Sequence, residues 1–93
     1  MNLLMLEEVN KKLDKLAVEW AVIDNVHLER IYEFENFKLA IKFVNKVAKI
    51  AEDQNHHPDI LIHDYKKVRI QTTTHDAMGL TVKDFKLANA LDE

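Results

Sequence analysis

One proline and one glycine occur in the 93 residues of this chain, and they are the strongest constraints on where its helices and strands lie. Pro58 cannot continue a helix, and it favours an extended backbone at His57. The apolar pattern before Pro58 is helical, and the pattern after it is that of a strand. Gly79 is predicted to supply a positive φ in a later loop. All other boundaries must come from other turn and capping residues.

Three segments have the apolar spacing of amphipathic helices. The first covers residues 3–17. The second has Asn36 as its N-cap and Asn55 as a left-handed C-terminal cap. Its apolar stripe consists of Phe37, Ala40, Ile41, Val44, Val47, Ala48 and Ala51. The third begins after Thr81, which forms a capping box with Asp84. Its stripe consists of Val82, Phe85, Ala88 and Leu91.

Four segments have strand character, and they pair into two hairpins. Residues 18–23 precede the turn Asp24-Asn25, whose residue types tolerate the left-handed backbone of tight hairpins, and a strand begins at Val26. After Pro58, residues 60–62 and 67–74 predict the second hairpin.

The predicted order is α-β-β-α-β-β-α in one domain over residues 1–93. Such an order is typical of an α+β fold. A four-stranded antiparallel sheet covered on one face by three helices is the simplest way to bury the stripes. The hydrophobic content of 47% is enough to build that core.

Composition excludes several classes of function. The net charge of −3 gives no reason to expect binding to nucleic acid, which requires concentrated Lys and Arg. The absence of cysteine excludes disulfides and thiolate metal sites, which is consistent with the cytoplasm. No apolar run is long enough to cross a membrane. A domain this small buries a limited fraction of its surface, so we expect a homodimer or a homotetramer.

Three histidines are the candidate catalytic residues. His56 and His57 lie between the second helix and Pro58, and His75 follows the fourth strand. A hairpin between the last two strands would bring His57 close to His75. Histidine can both give and take protons near neutral pH, so we interpret the group as an acid–base site. A metal site and purely structural histidines are the alternatives, although adjacent histidines before a proline make a poor chelate.

Two carboxylates are candidate partners of these histidines. Glu52 precedes His56 by one helical turn and is predicted to lie beside it if the helix continues. Asp84, at the start of the third helix, is predicted to contact a histidine or a ligand, or only to favour the helix N-terminus.

These residues together resemble the pterin-4a-carbinolamine dehydratases over nearly the whole chain. The matching positions are Glu52, His56-His57-Pro58, Tyr65, Val68, Thr74-His75, Gly79-Leu80-Thr81, Asp84-Phe85, Leu87-Ala88, Trp20 and Asn36-Phe37. The combined His-His-Pro and Thr-His patterns are fairly specific.

The resemblance implies a hydro-lyase that dehydrates 4a-hydroxytetrahydropterin to quinonoid dihydropterin in tetrahydropterin recycling, with no metal or organic cofactor. It implies proton transfer by His57 and His75 around C4a, with His56 positioning or sharing the role. Glu52 would orient a histidine, and Asp84 would lie at the pocket edge. A non-enzymatic interaction module, a metal-dependent hydrolase, and a pterin-binding protein of another pterin or molybdopterin route are the alternatives.

Overall fold

The helices and strands follow the predicted order, and the α+β fold is confirmed. The computed structural model describes residues 2–93. In chain order the elements are α1 (Leu6–Asp14), β1 (Ala21–Ile23), β2 (His27–Glu33), α2 (Phe37–Gln54), β3 (Asp59–His63), β4 (Lys67–Thr72) and α3 (Val82–Leu91), with one 3₁₀ turn at His75–Ala77. Within residues 2–93, no helix is both long and apolar enough to span a membrane.

The sheet joins its two hairpins through their second strands, in the order β1-β2-β4-β3, and every pairing is antiparallel. Burial alternates along β4, where Val68, Ile70 and Thr72 are buried and the residues between them are partly exposed. The buried side chains of β4 face a core to which all three helices contribute. The opposite face of the sheet carries partly exposed side chains such as Ile31 and Leu61.

Both hairpin turns use non-glycine residues with left-handed backbone. Asp24 and Asn25 have φ of 54° and 63°, which confirms the turn predicted at this pair. Asp64 and Tyr65 have φ of 50° and 52° in the β3–β4 turn. Two consecutive left-handed residues match the right-handed twist of the paired strands, so these turns also fix the register of each hairpin.

The predicted helix caps are confirmed, but α1 is shorter than its apolar pattern. The Asn36 side chain accepts a hydrogen bond from the Leu39 amide at 2.9 Å, and Asn55 has φ of 51°. The Thr81 amide donates to the Asp84 carboxylate at 3.0 Å. At the start of the chain, the Leu4 amide donates to the Leu80 carbonyl instead of joining a helix. Helix α1 therefore begins only at Leu6.

The helices bury somewhat different faces from those predicted. Phe37 of α2 and Val82 of α3 are 52% and 55% exposed, although both were placed in the buried stripes. Helix α3 instead buries Asp84 and Leu87, because it packs against α2 as well as over the sheet. Its buried arc is therefore wider than a single stripe at three- and four-residue spacing.

Gly79 does not have a positive φ, so that prediction is wrong. The left-handed residue of this loop is Met78, with φ of 60°. Gly79 lies where a Cβ atom would stand 2.7 Å from Cδ1 of Leu3. Glycine therefore serves close packing here rather than an unusual backbone angle.

A cluster around Asp92 ties the end of α3 to the sheet. The Asp92 carboxylate accepts hydrogen bonds from Trp20 Nε1 at 2.7 Å, from Tyr32 Oη at 2.6 Å and from Arg30 Nη1 at 3.0 Å. The Arg30 guanidinium also lies over the Tyr32 ring. Arg30 interrupts the apolar alternation of β2 because its side chain faces this acceptor.

Stability is predicted to fall at alkaline pH because of Tyr32. Burial, and next the hydrogen bond to Asp92, hold the pKa of Tyr32 above its ordinary value. The unfolded chain then loses this proton before the folded chain does. The stabilisation is complete below a pH of about 10 and is lost as the pH rises above it.

Urea unfolding at a series of alkaline pH values tests this contribution. Tyr32→Phe should have a shallower decrease in the free energy of unfolding than the wild type, whereas Tyr65→Phe, at an exposed tyrosine, should keep the wild-type slope. Equal slopes for Tyr32→Phe and the wild type would contradict the assignment.

Candidate active site

The three candidate histidines lie around one cleft of about 440 Å³. Small-molecule pockets commonly have volumes of about 300–1,000 Å³, so the cleft can hold a ligand of one or two rings. Its lining residues are Asn55, His56, His57, Thr73, Thr74, His75, Asp76 and Lys83. The residues come from the end of α2, the segment after β4 and the first turn of α3.

The chain separates the two adjacent histidines at the end of α2. The left-handed backbone of Asn55 ends the helix, and the His56 amide donates to the Ala51 carbonyl at 3.0 Å. The His56 side chain is 10% exposed and the His57 side chain is 58% exposed. The two imidazoles therefore occupy different environments, as expected for neighbouring residues of an extended segment.

Asp84 is the buried centre beneath the cleft. It is fully buried, and its Oδ1 accepts hydrogen bonds from Thr72 Oγ1 at 2.6 Å and from His56 Nε2 at 2.7 Å. Its Oδ2 accepts from Thr74 Oγ1 at 2.8 Å and from the Thr81 amide at 3.0 Å. Four donors from three parts of the chain thus satisfy one buried carboxylate, whose two oxygens act as acceptors.

The contact with Asp84 fixes the tautomer of His56. An ionised carboxylate can only accept, so the shared proton must be on Nε2 of His56. No hydrogen bond within residues 2–93 occupies the other ring nitrogen, Nδ1. A neutral His56 in this tautomer therefore has Nδ1 as its free acceptor.

Two predictions about the carboxylates are corrected. Glu52 contacts Nε2 of His57, not His56, because the helix ends at Gln54 and Asn55 turns His56 toward Asp84. Both members of the Glu52–His57 pair are mostly exposed, so the pair contributes little to stability. Asp84 does not line the cleft edge as expected from the resemblance; it lies behind His56, where it both contacts a histidine and caps α3.

His75 lies at the start of the 3₁₀ turn after β4, and it lines the cleft together with the residues that follow α2. Its side chain is exposed, and it forms no hydrogen bond within residues 2–93. The structure thus brings His75 to the same cleft as His56 and His57.

Sequence reasoning missed the threonines. Thr72 and Thr74 were interpreted only as strand residues, yet their hydroxyls bond Asp84. Their two-residue spacing, which places both on one face, was the available signal. Thr73 and Asp76, which also line the cleft, were missed as well. Among residues 2–93, no group of three or more acidic or histidine side chains is arranged to hold a metal ion.

Comparisons with known proteins agree with this architecture. A family model described as pterin 4 alpha carbinolamine dehydratase matches residues 2–93. A relative from Sulfurisphaera tokodaii is 45% identical over 87 residues, covering 94% of this chain and 90% of the relative. One from Picosynechococcus sp. is 52% identical over 86 residues, covering 92% and 90%. Both are provisionally named pterin-4-alpha-carbinolamine dehydratase.

A solved structure has the same fold. The crystal structure of a transcriptional coactivator/pterin dehydratase from Brucella melitensis matches with a TM-score of 0.90 and 30% identity. The match covers 98% of this chain and 96% of that one.

Removal of the Asp84 carboxylate is predicted to destabilise the fold strongly. Asp84→Ala leaves four buried donors without their acceptor, and each buried donor left unsatisfied costs about 1–3 kcal/mol. The measurement is urea unfolding followed by circular dichroism. Asp53→Ala, which removes an exposed carboxylate of α2, is the control and should change little. A loss as small as that of the control would contradict the central role of Asp84.

Proposed function

The chain belongs to the pterin 4 alpha carbinolamine dehydratase family, and on this premise we propose that it converts 4a-hydroxytetrahydropterin to quinonoid dihydropterin and water in tetrahydropterin recycling. This makes it a hydro-lyase. The bond from C4a to the hydroxyl oxygen breaks, N5 loses its proton, and a C4a–N5 double bond forms. The atoms balance without an oxidant or a second substrate.

One observation supports the proposal most directly: three histidines from two separate segments line a single cleft of about 440 Å³. The reaction requires an acid at the departing hydroxyl and a base at N5, and imidazole serves either role near neutral pH. Because the histidines come from two separate segments that line the same cleft, they can act on two different atoms of one bound ring system.

We assign the proton transfers to His57 and His75, with His56 as the third group of the site. The Glu52 carboxylate orients the His57 ring through its contact with Nε2. The Asp84 carboxylate fixes His56 so that Nδ1 is the nitrogen left to accept a hydrogen bond. A fixed tautomer is useful in such a site because the direction of proton transfer is then defined before the substrate binds.

Replacement of the cleft histidines is predicted to slow the reaction without unfolding the protein. His57→Ala and His75→Ala should each lower kcat for dehydration by about 10²-fold or more, the usual contribution of a positioned acid or base. Both side chains are exposed, so the free energy of unfolding should change little. The rate can be measured by stopped-flow absorbance with freshly generated carbinolamine.

His63→Ala is the matched control. His63 is a partly exposed histidine at the end of β3, beside Asp64 and outside the cleft. It should keep the wild-type rate. The proposal would be contradicted if the wild-type protein dehydrated the carbinolamine no faster than buffer alone. That result would favour a non-enzymatic module. Activity that is lost to a chelator and restored by metal would favour the metal-dependent alternative.

We also propose that the chain forms a homodimer or homotetramer. The supporting feature is an apolar surface at the start of α2, where Phe37 and Leu39 are 52% and 38% exposed beside Phe34 and Phe43. A second copy would remove this surface from water. Sedimentation equilibrium should give a multiple of the chain mass, and Leu39→Asp should reduce that mass toward the monomer. A monomeric wild type would contradict the proposal.

A further inference from the structure

The loop that carries His75 is bonded to itself at its two ends. The Thr74 amide donates to the Gly79 carbonyl at 2.9 Å, and the Gly79 amide returns a bond to the Thr74 carbonyl at 3.4 Å. Between them, Met78 has the left-handed backbone that residues with side chains disfavour, and its own side chain is 84% exposed. Inside the loop, the Ala77 amide donates to the Thr74 carbonyl at 3.0 Å and the Met78 amide donates to the His75 carbonyl at 3.0 Å. The His75 backbone therefore belongs to a short turn that is anchored at Thr74 and Gly79.

The segment before α1 holds the outer end of this loop. The Leu4 amide donates to the Leu80 carbonyl at 2.9 Å, and the Leu4 side chain packs against the core. Cδ1 of Leu3 lies 2.7 Å from the position that a Cβ atom on Gly79 would occupy. Gly79 is thus bonded to Thr74 and lies beside Leu3, and the next residue, Leu80, is bonded to Leu4.

We propose that Leu3 and Leu4 are positioning residues for His75. The imidazole of His75 has no hydrogen bond of its own within residues 2–93, so its place in the cleft depends on the backbone that Leu3 and Leu4 hold. The inference rests on the proposed function, because that function gives His75 its role in proton transfer. It extends the site to a part of the chain that lines no wall of the cleft.

Gly79 provides a way to break this contact without touching the cleft. Its φ is not positive, so alanine is compatible with its backbone. An added methyl group would instead meet the end of Leu3, a flexible side chain that is 52% exposed and free to move outward. Gly79→Ala and Leu3→Ala therefore remove the same contact from opposite sides.

A double-mutant cycle tests the contact. Leu3→Ala and Gly79→Ala should each lower kcat by about tenfold, within the cost of a small misplacement of a catalytic group, with little change in KM. The double variant should be no slower than the slower single variant, because each substitution removes the same interaction. Val18→Ala, at an aliphatic side chain that is 93% exposed, is the control and should keep the wild-type rate.

Measurements in the His75→Ala background separate an effect on the position of His75 from a general loss of rigidity in the protein. If Leu3 acts through His75, Gly79→Ala should not slow His75→Ala further. A decrease by the same factor in both backgrounds, or independent effects of Leu3→Ala and Gly79→Ala, would overturn the proposal.

Two substitutions at Leu4 isolate its amide. Leu4→Pro removes the N–H that bonds Leu80, whereas Leu4→Ala shortens the side chain and keeps that N–H. The proline variant should have the lower kcat. It should also show faster hydrogen exchange at the Thr74 amide, a readout that needs no substrate.

Hydrogen exchange and kcat together distinguish a failure of the positioning role from a failure of the proposed function. Unchanged exchange and unchanged kcat in an active enzyme would overturn the positioning role alone. A wild-type chain without dehydratase activity would overturn the proposed function, and with it the catalytic meaning of this contact, whatever the exchange rates.

Discussion

The structure depends on a single buried charge, the carboxylate of Asp84. Removing an ion from water costs several kcal/mol unless hydrogen bonds replace its hydration. Here the replacements come from His56 after α2, Thr72 and Thr74 of the β4 region, and the Thr81 amide before α3. No two of these segments can move apart without leaving a buried charge or a donor unsatisfied. The carboxylate therefore fixes the floor of the cleft and the start of α3 together.

This arrangement divides the three histidines between two environments. The His56 imidazole is buried against Asp84, while the side chains of His57 and His75 are exposed. The backbone turn at Asn55 produces this division, because it sends two neighbouring side chains in different directions. The two adjacent histidines thus differ in environment, one buried against a carboxylate and one exposed.

Sequence reasoning succeeded where the structure is determined by neighbours along the chain. The Asp24-Asn25 turn, the Asn36 and Asn55 caps and the Thr81 box depend on residues at most a few positions apart. It failed where a distant residue decided the outcome. A Cβ atom at position 79 would clash with the Leu3 side chain, so glycine allows close packing there. Glu52 contacts His57 because His56 is hydrogen-bonded to the buried Asp84. Neither contact leaves a periodic or local signal.

The sequence by itself therefore determined the order of helices and strands and the turns that end them, and it identified three histidines as candidates for proton transfer. These follow from backbone preferences and from side-chain chemistry, which act locally. Only the tertiary structure decided the strand order β1-β2-β4-β3, the burial of Asp84, and the loop position of His75. These depend on which distant surfaces exclude water together and on which buried donors find an acceptor, and both are properties of the packed chain.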